Sequence, residues 1–334
     1  MRVAITGDGL VTWMAAAFLA RRLEALGPTI VVAGGEGDSG DGLVGAALHG
    51  FNAAIGLETV AFVRETGAAP YLGTQHDGWF RPCGGFGADL DGIPFHHYWL
   101  RLLSLGGSPD LGRFSLEATA ARDGRFGGAP GRPLTYGFRF DAGKYRAVLQ
   151  RLAMEAGVKR GAAGEADLVI DCDRVFESDD AWTGRIVALG ASAAEPLVPS
   201  LDRTIHVLER LVALWPRPAI VPAVVARFNA DMAGVCREAR DITAAWRVLS
   251  GEGEAMSDSL AARIELFKAT GDIQSAPGLV RVSDWLALFV GMGLRPRAVH
   301  PAVELVPEDD LKRRMARLRT HIQDTVNALP SLPQ

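Results

Sequence analysis

Arg2-Val3-Ala4-Ile5-Thr6-Gly7-Asp8-Gly9-Leu10-Val11-Thr12-Trp13-Met14 is the stretch whose reading decides the fold. Residues 2–6 form a short apolar run of strand character. Residues 10–26, LVTWMAAAFLARRLEAL, have the Ala- and Leu-rich composition of a helix, which Gly27-Pro28 ends. A second strand candidate, Thr29 to Ala33, follows. Strand, glycine turn, helix and strand in this order make a βαβ unit. The turn carries two of the three glycines of a Gly-x-Gly-x-x-Gly fingerprint. Gly7 permits the tight turn, Gly9 lets the backbone approach a pyrophosphate, and the helix N-terminus supplies amide donors and a favourable dipole. Thr12 takes the third position, where a Cβ is expected to crowd helix against strand. A strand-to-helix turn with no ligand gives the same pattern, so the turn alone leaves both readings open. At the end of the second strand, where an acid should hold the adenosine ribose, stands Ala33-Gly34-Gly35, and the first carboxylate is Glu36.

Outward from this unit, a glycine-rich loop from Gly34 to Gly45 runs into a helix, and residues 57–66 suggest another. The stretch 70–138 reads as irregular, with aromatic islands at Tyr71, Trp79-Phe80, Phe86, Phe95 and Tyr98-Trp99. From Asp141 to Gly157 an amphipathic helix places Tyr145, Val148, Leu149 and Leu152 on one stripe. Residues 166–172 and 185–190 are buried-strand candidates. Beyond Pro199 the spacing predicts helices over 201–215, 222–248, 258–270 and 308–328. The predicted organisation is an α/β, dinucleotide-binding-like domain over residues 1–200, with substrate-region segments inserted at about 70–140. A helical C-terminal region then covers 201–334.

A chain of 334 residues with 48% hydrophobic and 22% charged residues is ordinary for a folded α/β protein. A net charge of −4 gives no electrostatic footprint for nucleic acid or an anionic membrane surface. No apolar run is long enough to span a bilayer, and the N-terminus lacks the pattern of a secretory signal. Cys83, Cys172 and Cys236 have neither metal-ligand spacing nor the even count of a disulfide framework, so a cytoplasmic location is the expectation.

The likeness to a known family extends well past the turn. Gly7-x-Gly9-x-x-Thr12-Trp13-Met14-Ala15-Ala16-Ala17 resembles the opening of the flavin-dependent tryptophan halogenases, in which Trp-Met follows the glycines. Gly40-Asp41-Gly42-Leu43-Val44-Gly45 stands where that family has a Gly-x-Gly-Glu-Ala-Thr loop. Pro94 and His97-Tyr98-Trp99-Leu100-Arg101 are similar to its Pro-x-x-His-Tyr-Trp-Leu-Arg segment. Phe140-Asp141-Ala142 and the strand Asp167 to Cys172 keep the register. Glu195-Pro196-Leu197, following Gly190, looks like its second flavin-contacting segment. The resemblance implies an FAD-type Rossmann fold, flavin monooxygenase-like, with a reduced substrate sheet. It also implies FAD held by Gly7, Gly9, Thr12, Trp13, Gly40, Gly42, Gly190, Glu195, Pro196 and Leu197. An aromatic small-molecule substrate and a separate flavin reductase are the partners implied.

The departures from the family pattern fall on its chemistry. Gln75 occupies the place of the lysine that holds or captures hypochlorous acid, and a neutral amide cannot form a chloramine as an amine does. Val198 occupies the place of the glutamate, and valine accepts no proton. The Trp-x-Trp-x-Ile-Pro segment is absent; only a short polar link, 173–181, precedes the strand at Arg185. His97 matches the family's pocket histidine, but it reads first as a packed, satisfied histidine in an aromatic cluster. His96 and His97, if on a strand, face opposite sides and share no metal. Trp79, Phe80 and Trp99 line a pocket or pack a core, and Trp285, Phe289 and Met292 read as core. Arg237, Arg240 and Asp241 read as ion pairing, and Ser192 and Ser200 belong to no triad.

Three functions compete on these residues. The first is an FAD-dependent oxidoreductase of halogenase or monooxygenase type, not competent for tryptophan halogenation. The second is a catalytically inactive relative acting as a protein partner or homo-oligomer. The third, a nicotinamide-dependent oxidoreductase, lacks both the acid for NAD and an adjacent arginine for NADP at Ala33-Gly34.

Overall fold

The computed structural model describes all residues except 38–39, 130–131, 191–196, 218, 254, 276–277 and 332–334. The chain divides into two compact units, residues 1–70 with 137–240, and residues 71–136 with 241–334.

The first unit is built on a six-stranded sheet. Its order is Lys159–Arg160, Thr29–Gly34, Arg2–Gly7, Leu168–Val175, Ile186–Gly190 and Trp182–Thr183. The first five strands are parallel and the last is antiparallel. Val3, Ala4 and Ile5 are fully buried, as an unbroken apolar run must be in a parallel strand covered on both faces. Register pairs Ile5 with Val32 on one side and with Ile170 on the other. Strand order therefore reverses at Arg2–Gly7, and the crevice at its C-terminal end is the topological switch point where such sheets bind ligands.

Helix Gly9–Arg22 leaves that end with Trp13, Met14 and Ala15 to Ala17 fully buried. Three consecutive alanines have no bulk to hold neighbours away, so the helix packs closely on Ala142–Glu155, whose N-cap Asp141 accepts the Lys144 N–H. An aromatic knot completes the core: Phe62 meets Phe138, Phe140 and Tyr145 edge-on at 5.0–5.5 Å. The buried Tyr145 hydroxyl donates to Asn52 Oδ1 at 2.6 Å.

In the second unit the expectation of irregular structure over 70–138 is corrected. A hairpin, Gly73–His76 with Trp79–Pro82, and helices Phe95–Ser104 and Leu116–Arg122 lie there. The strands are four residues long, too short for alternation to register. The His-His-Tyr-Trp run, which looks strand-like, lies in helix Phe95–Ser104, and all six residues from Phe95 to Leu100 are buried, which hides the helical period. Helices Asp258–Thr270, Val282–Gly291 and Glu308–Asn327 complete the unit. The predicted segment 222–248 is one helix, Pro222–Leu249. A buried carboxylate, Asp284, clamps the hairpin to helix Val282–Gly291. It accepts from Arg81 Nε at 3.0 Å and from Arg281 Nη2 at 2.8 Å, while Arg281 donates to the carbonyls of Pro82 and Gly84. Burial works against the Asp284 charge, but the two guanidiniums outweigh it and hold its carboxyl below the usual range. Among the described residues no helix is long and apolar enough to cross a membrane.

Candidate functional site

The glycine turn sits where the sheet order reverses, and its backbone is what only glycine adopts readily. Gly7 has φ 114° and Gly9 φ 80°. A Cβ at Gly7 would lie 2.9 Å from Cys172 Cβ. Thr12, expected to crowd the helix, is accommodated: it is fully buried and its hydroxyl turns back to the Asp8 carbonyl at 3.3 Å. Trp13 is buried with Nε1 donating to the Gly35 carbonyl at 2.9 Å. The Trp beside the glycines thus anchors the loop that follows the second strand.

That loop closes over the turn. Gly9 N–H donates to the Glu36 carbonyl at 2.7 Å, and Gly35 N–H to the Gly7 carbonyl at 2.8 Å. Asp8 N–H donates to Asp173 Oδ1 at 3.2 Å. The chain's own acceptors therefore hold two amides of the turn. The exposed Glu36 carboxylate is hydrogen-bonded and paired with Arg160, which lowers its pKa. Arg160 belongs to the edge strand beside the second strand, and Arg146 Nη1 donates to the Gly35 carbonyl at 3.2 Å. Cys172, behind the turn, has its thiol pushed up to about 12 by burial, so it stays protonated and unreactive.

The other glycine positions are set by packing. Gly40 accepts the Ala142 N–H at its carbonyl, at 2.9 Å. Gly42 lies in strand Asp41–Val44 against Phe140, where a Cβ would come within 2.3 Å of the ring. Gly45 N–H is held by both carboxylate oxygens of Asp202 at 3.0 Å. Gly190 ends the fifth strand opposite Val175. Leu197 and Val198 are buried, whereas Glu195, Pro196 and Ser192 lie outside the described residues.

In the second unit, a cavity of about 700 Å³ is lined by Gln75, Trp79, Phe80, Phe86, Leu111 and Val290 among others. Gln75 is exposed at this cavity, and its amide nitrogen is engaged by the chain's own backbone. Its Nε2 donates to the Trp79 carbonyl at 2.9 Å and to the His76 carbonyl at 2.6 Å across the hairpin turn. Trp79 stacks on His76 with ring centroids 4.1 Å apart, and burial lowers the His76 pKa. Gly291 has no side chain because the Trp79 ring sits there, with Cγ 2.4 Å from a would-be Cβ. Trp99 and Trp285 are fully buried and pack the core. His97 lies in helix Phe95–Ser104, so the strand argument that separated it from His96 is corrected: the rings are neighbours, 4.4 Å between centroids.

Structure thus gathers Gly7, Gly9 and Trp13 at one turn, and places Gln75 with Trp79 and Phe80 at one cavity. Asp173, Arg146, Arg160 and Asp202 were not singled out from sequence. Their partners are at least 111 residues away in the chain, beyond the reach of any local spacing.

The family model described as tryptophan halogenase matches residues 2–178 and 173–308. No curated protein sequence matches the chain. Among solved structures, it is similar to BrvH, a flavin-dependent halogenase from Brevundimonas sp. BAL3, with a TM-score of 0.89 and 21% identity over 99% of this chain and 97% of that one. Xcc4156, a flavin-dependent halogenase from Xanthomonas campestris, gives 0.85 and 20% over 99% and 96%. A tryptophan 6-halogenase from Streptomyces toxytricini gives 0.81 and 15% over 99% and 98%. At these identities the likeness is one of fold.

Proposed function

The chain belongs to the tryptophan halogenase family, and from that premise we propose that it is an FAD-dependent oxidoreductase of halogenase or monooxygenase type that does not chlorinate free tryptophan. The residues at the glycine turn fit an adenine dinucleotide. Gly7 and Gly9 have the positive φ of the pyrophosphate turn, and Thr12 packs without displacing the helix. Gly7, Gly9, Thr12 and the helix N-terminus would hold the pyrophosphate. Gly40, Gly42, Gly190 and Leu197 would contact the flavin, with Trp13 fixing the covering loop. When bound and reduced by a separate reductase, the flavin supplies the electrons that activate dioxygen.

What the chain's own residues do with an oxidised species decides the reaction. The observation that carries the proposal is the Gln75 amide, spent on the His76 and Trp79 carbonyls at the rim of an aromatic cavity. An amide so engaged offers no ammonium to hold or aim an oxidised halide, and buried Val198 offers no base to take a proton. Trp79, Phe80 and Phe86 supply flat apolar walls that suit an aromatic small molecule. The test is to titrate the protein with FAD, then supply a flavin reductase, chloride and free tryptophan and analyse by mass spectrometry. Bound, perturbed FAD with no chlorotryptophan is the expected result. Chlorotryptophan would overturn the halogenation claim, and absence of FAD binding would leave the reading of an inactive relative that acts through protein association.

A further inference from the structure

We infer that His96, His97 and Asp272 form a site for a first-row divalent metal ion, zinc in particular, inside the second unit. One ligand atom from each residue lies within 4.8 Å of the other two. Both histidines are 4% exposed, at the start of helix Phe95–Ser104, and Asp272 follows the Gly271 that ends helix Asp258–Thr270. Two imidazoles and one carboxylate are a donor set for zinc and its first-row neighbours, with water completing the sphere.

A second observation points to a ligand. His96 Nε2 is buried with no hydrogen-bond partner among the described residues. A buried nitrogen left without a partner is costly, and natural sites seldom leave one so. A buried imidazole nitrogen with a free lone pair is what a metal ligand presents before the metal arrives. Asp272 is oriented by the backbone, its Oδ1 accepting the Ile273 N–H at 3.0 Å. Metal bonds of about 2.0–2.2 Å require these side chains to draw inward by rotation.

His97 gives the inference a signature of its own. Its Nδ1 accepts the His300 N–H at 3.2 Å. A metal at Nδ1 consumes that lone pair, and a metal at Nε2 forces the proton onto Nδ1, so either mode breaks this bond. Metal binding must therefore release the His300 amide.

The test uses tag-free full-length protein stripped with chelator, then titrated with Zn²⁺ by calorimetry and with Co²⁺ by visible absorption. One equivalent should bind, with a rise in melting temperature and faster hydrogen exchange at the His300 amide. Asp272→Asn and His96→Ala should each weaken binding at least tenfold, whereas His321→Gln, on the exposed face of helix Glu308–Asn327, should not. Asp272 is only partly buried, so Asp272→Asn keeps the test valid if His96→Ala does not fold. No Zn²⁺ binding at micromolar concentration, affinity in both variants unchanged from that of the unsubstituted protein, or an unchanged His300 amide in the loaded protein would each overturn the site. In that event the pair is packed imidazole and nothing more.

Discussion

Replacing Asp173 by Asn should tighten FAD binding, because the carboxylate competes with pyrophosphate for the same turn. Asp173 Oδ1 accepts the Asp8 N–H at 3.2 Å, and it lies 3.0 Å from a would-be Cβ on Gly7. Two acceptors served by neighbouring amides, each about 3 Å from its donor, lie roughly 4–5 Å apart, and a phosphate oxygen and the Asp173 carboxylate would stand at that separation. In water-like surroundings that separation costs about 0.8–1 kcal/mol per unit charge, and salt screening at an exposed residue reduces it. Taking about 0.5–1 kcal/mol as the net effect, the dissociation constant should fall about two- to fivefold. Asparagine keeps an acceptor oxygen for Asp8, so the turn retains its shape. The assay is FAD fluorescence quenching at low and high salt, with Asp167→Asn as the control. Asp167 binds the Arg2 N–H at the far end of the same strands and should not alter FAD affinity. Unchanged or weaker binding by Asp173→Asn with an unaltered melting temperature would refute the reasoning. So would an advantage that high salt leaves undiminished.

Three further outcomes follow from the packing. Gly291→Ala puts a Cβ into the Trp79 ring and should destabilise by about 1–3 kcal/mol, with a changed near-ultraviolet tryptophan signal; a neutral melting temperature would contradict the contact. Tyr145→Phe strands the Asn52 side chain and should lose about 1–3 kcal/mol in urea unfolding, an effect absent if the 2.6 Å bond contributes nothing. Burial, aided by Arg81 and Arg210 respectively, lowers the pKa of His76 and His206 below the ordinary 6.5. The unfolded chain therefore binds protons first as pH falls, so this stabilisation is complete above about 6.5 and is lost below it. Urea midpoints at pH 7.5 and 5.5 check the sign, and a midpoint rising on acidification would reverse it.

The opening βαβ unit was legible because its signals are local and strong: a run of apolar residues, two glycines with enforced positive φ, and an alanine-rich helix between Gly9 and Gly27. The four long helices beyond Pro199 were legible for the same reason. The hairpin at Gly73–Pro82 was not, since four-residue strands rich in Gly, His and Pro carry no period. The His96-His97 pair was misread because burial on every side erases the difference between helix and strand patterns. The clamp of Asp284 with Arg81 spans 203 residues, and no spacing rule reaches so far.

The turn shows why a fingerprint read from sequence gives position but not affinity. Gly7 and Gly9 place two amides at the switch point of the sheet, as spacing predicts. The turn's amides are not waiting in solvent: the Glu36 carbonyl accepts from the Gly9 N–H and the Asp173 carboxylate from the Asp8 N–H. A dinucleotide must exchange these acceptors rather than fill an empty cradle, so each phosphate contact is worth only its excess over the bond it replaces. The Arg160 salt bridge to Glu36 acts in the same direction, because it secures the loop by the chain's own residues. Loosening that loop should help the ligand. Arg160→Gln leaves the glycines untouched and frees the Glu36 side chain, so FAD affinity and loop hydrogen exchange should rise together. Faster exchange at Gly9 without tighter FAD binding would mean that loop closure does not oppose the nucleotide.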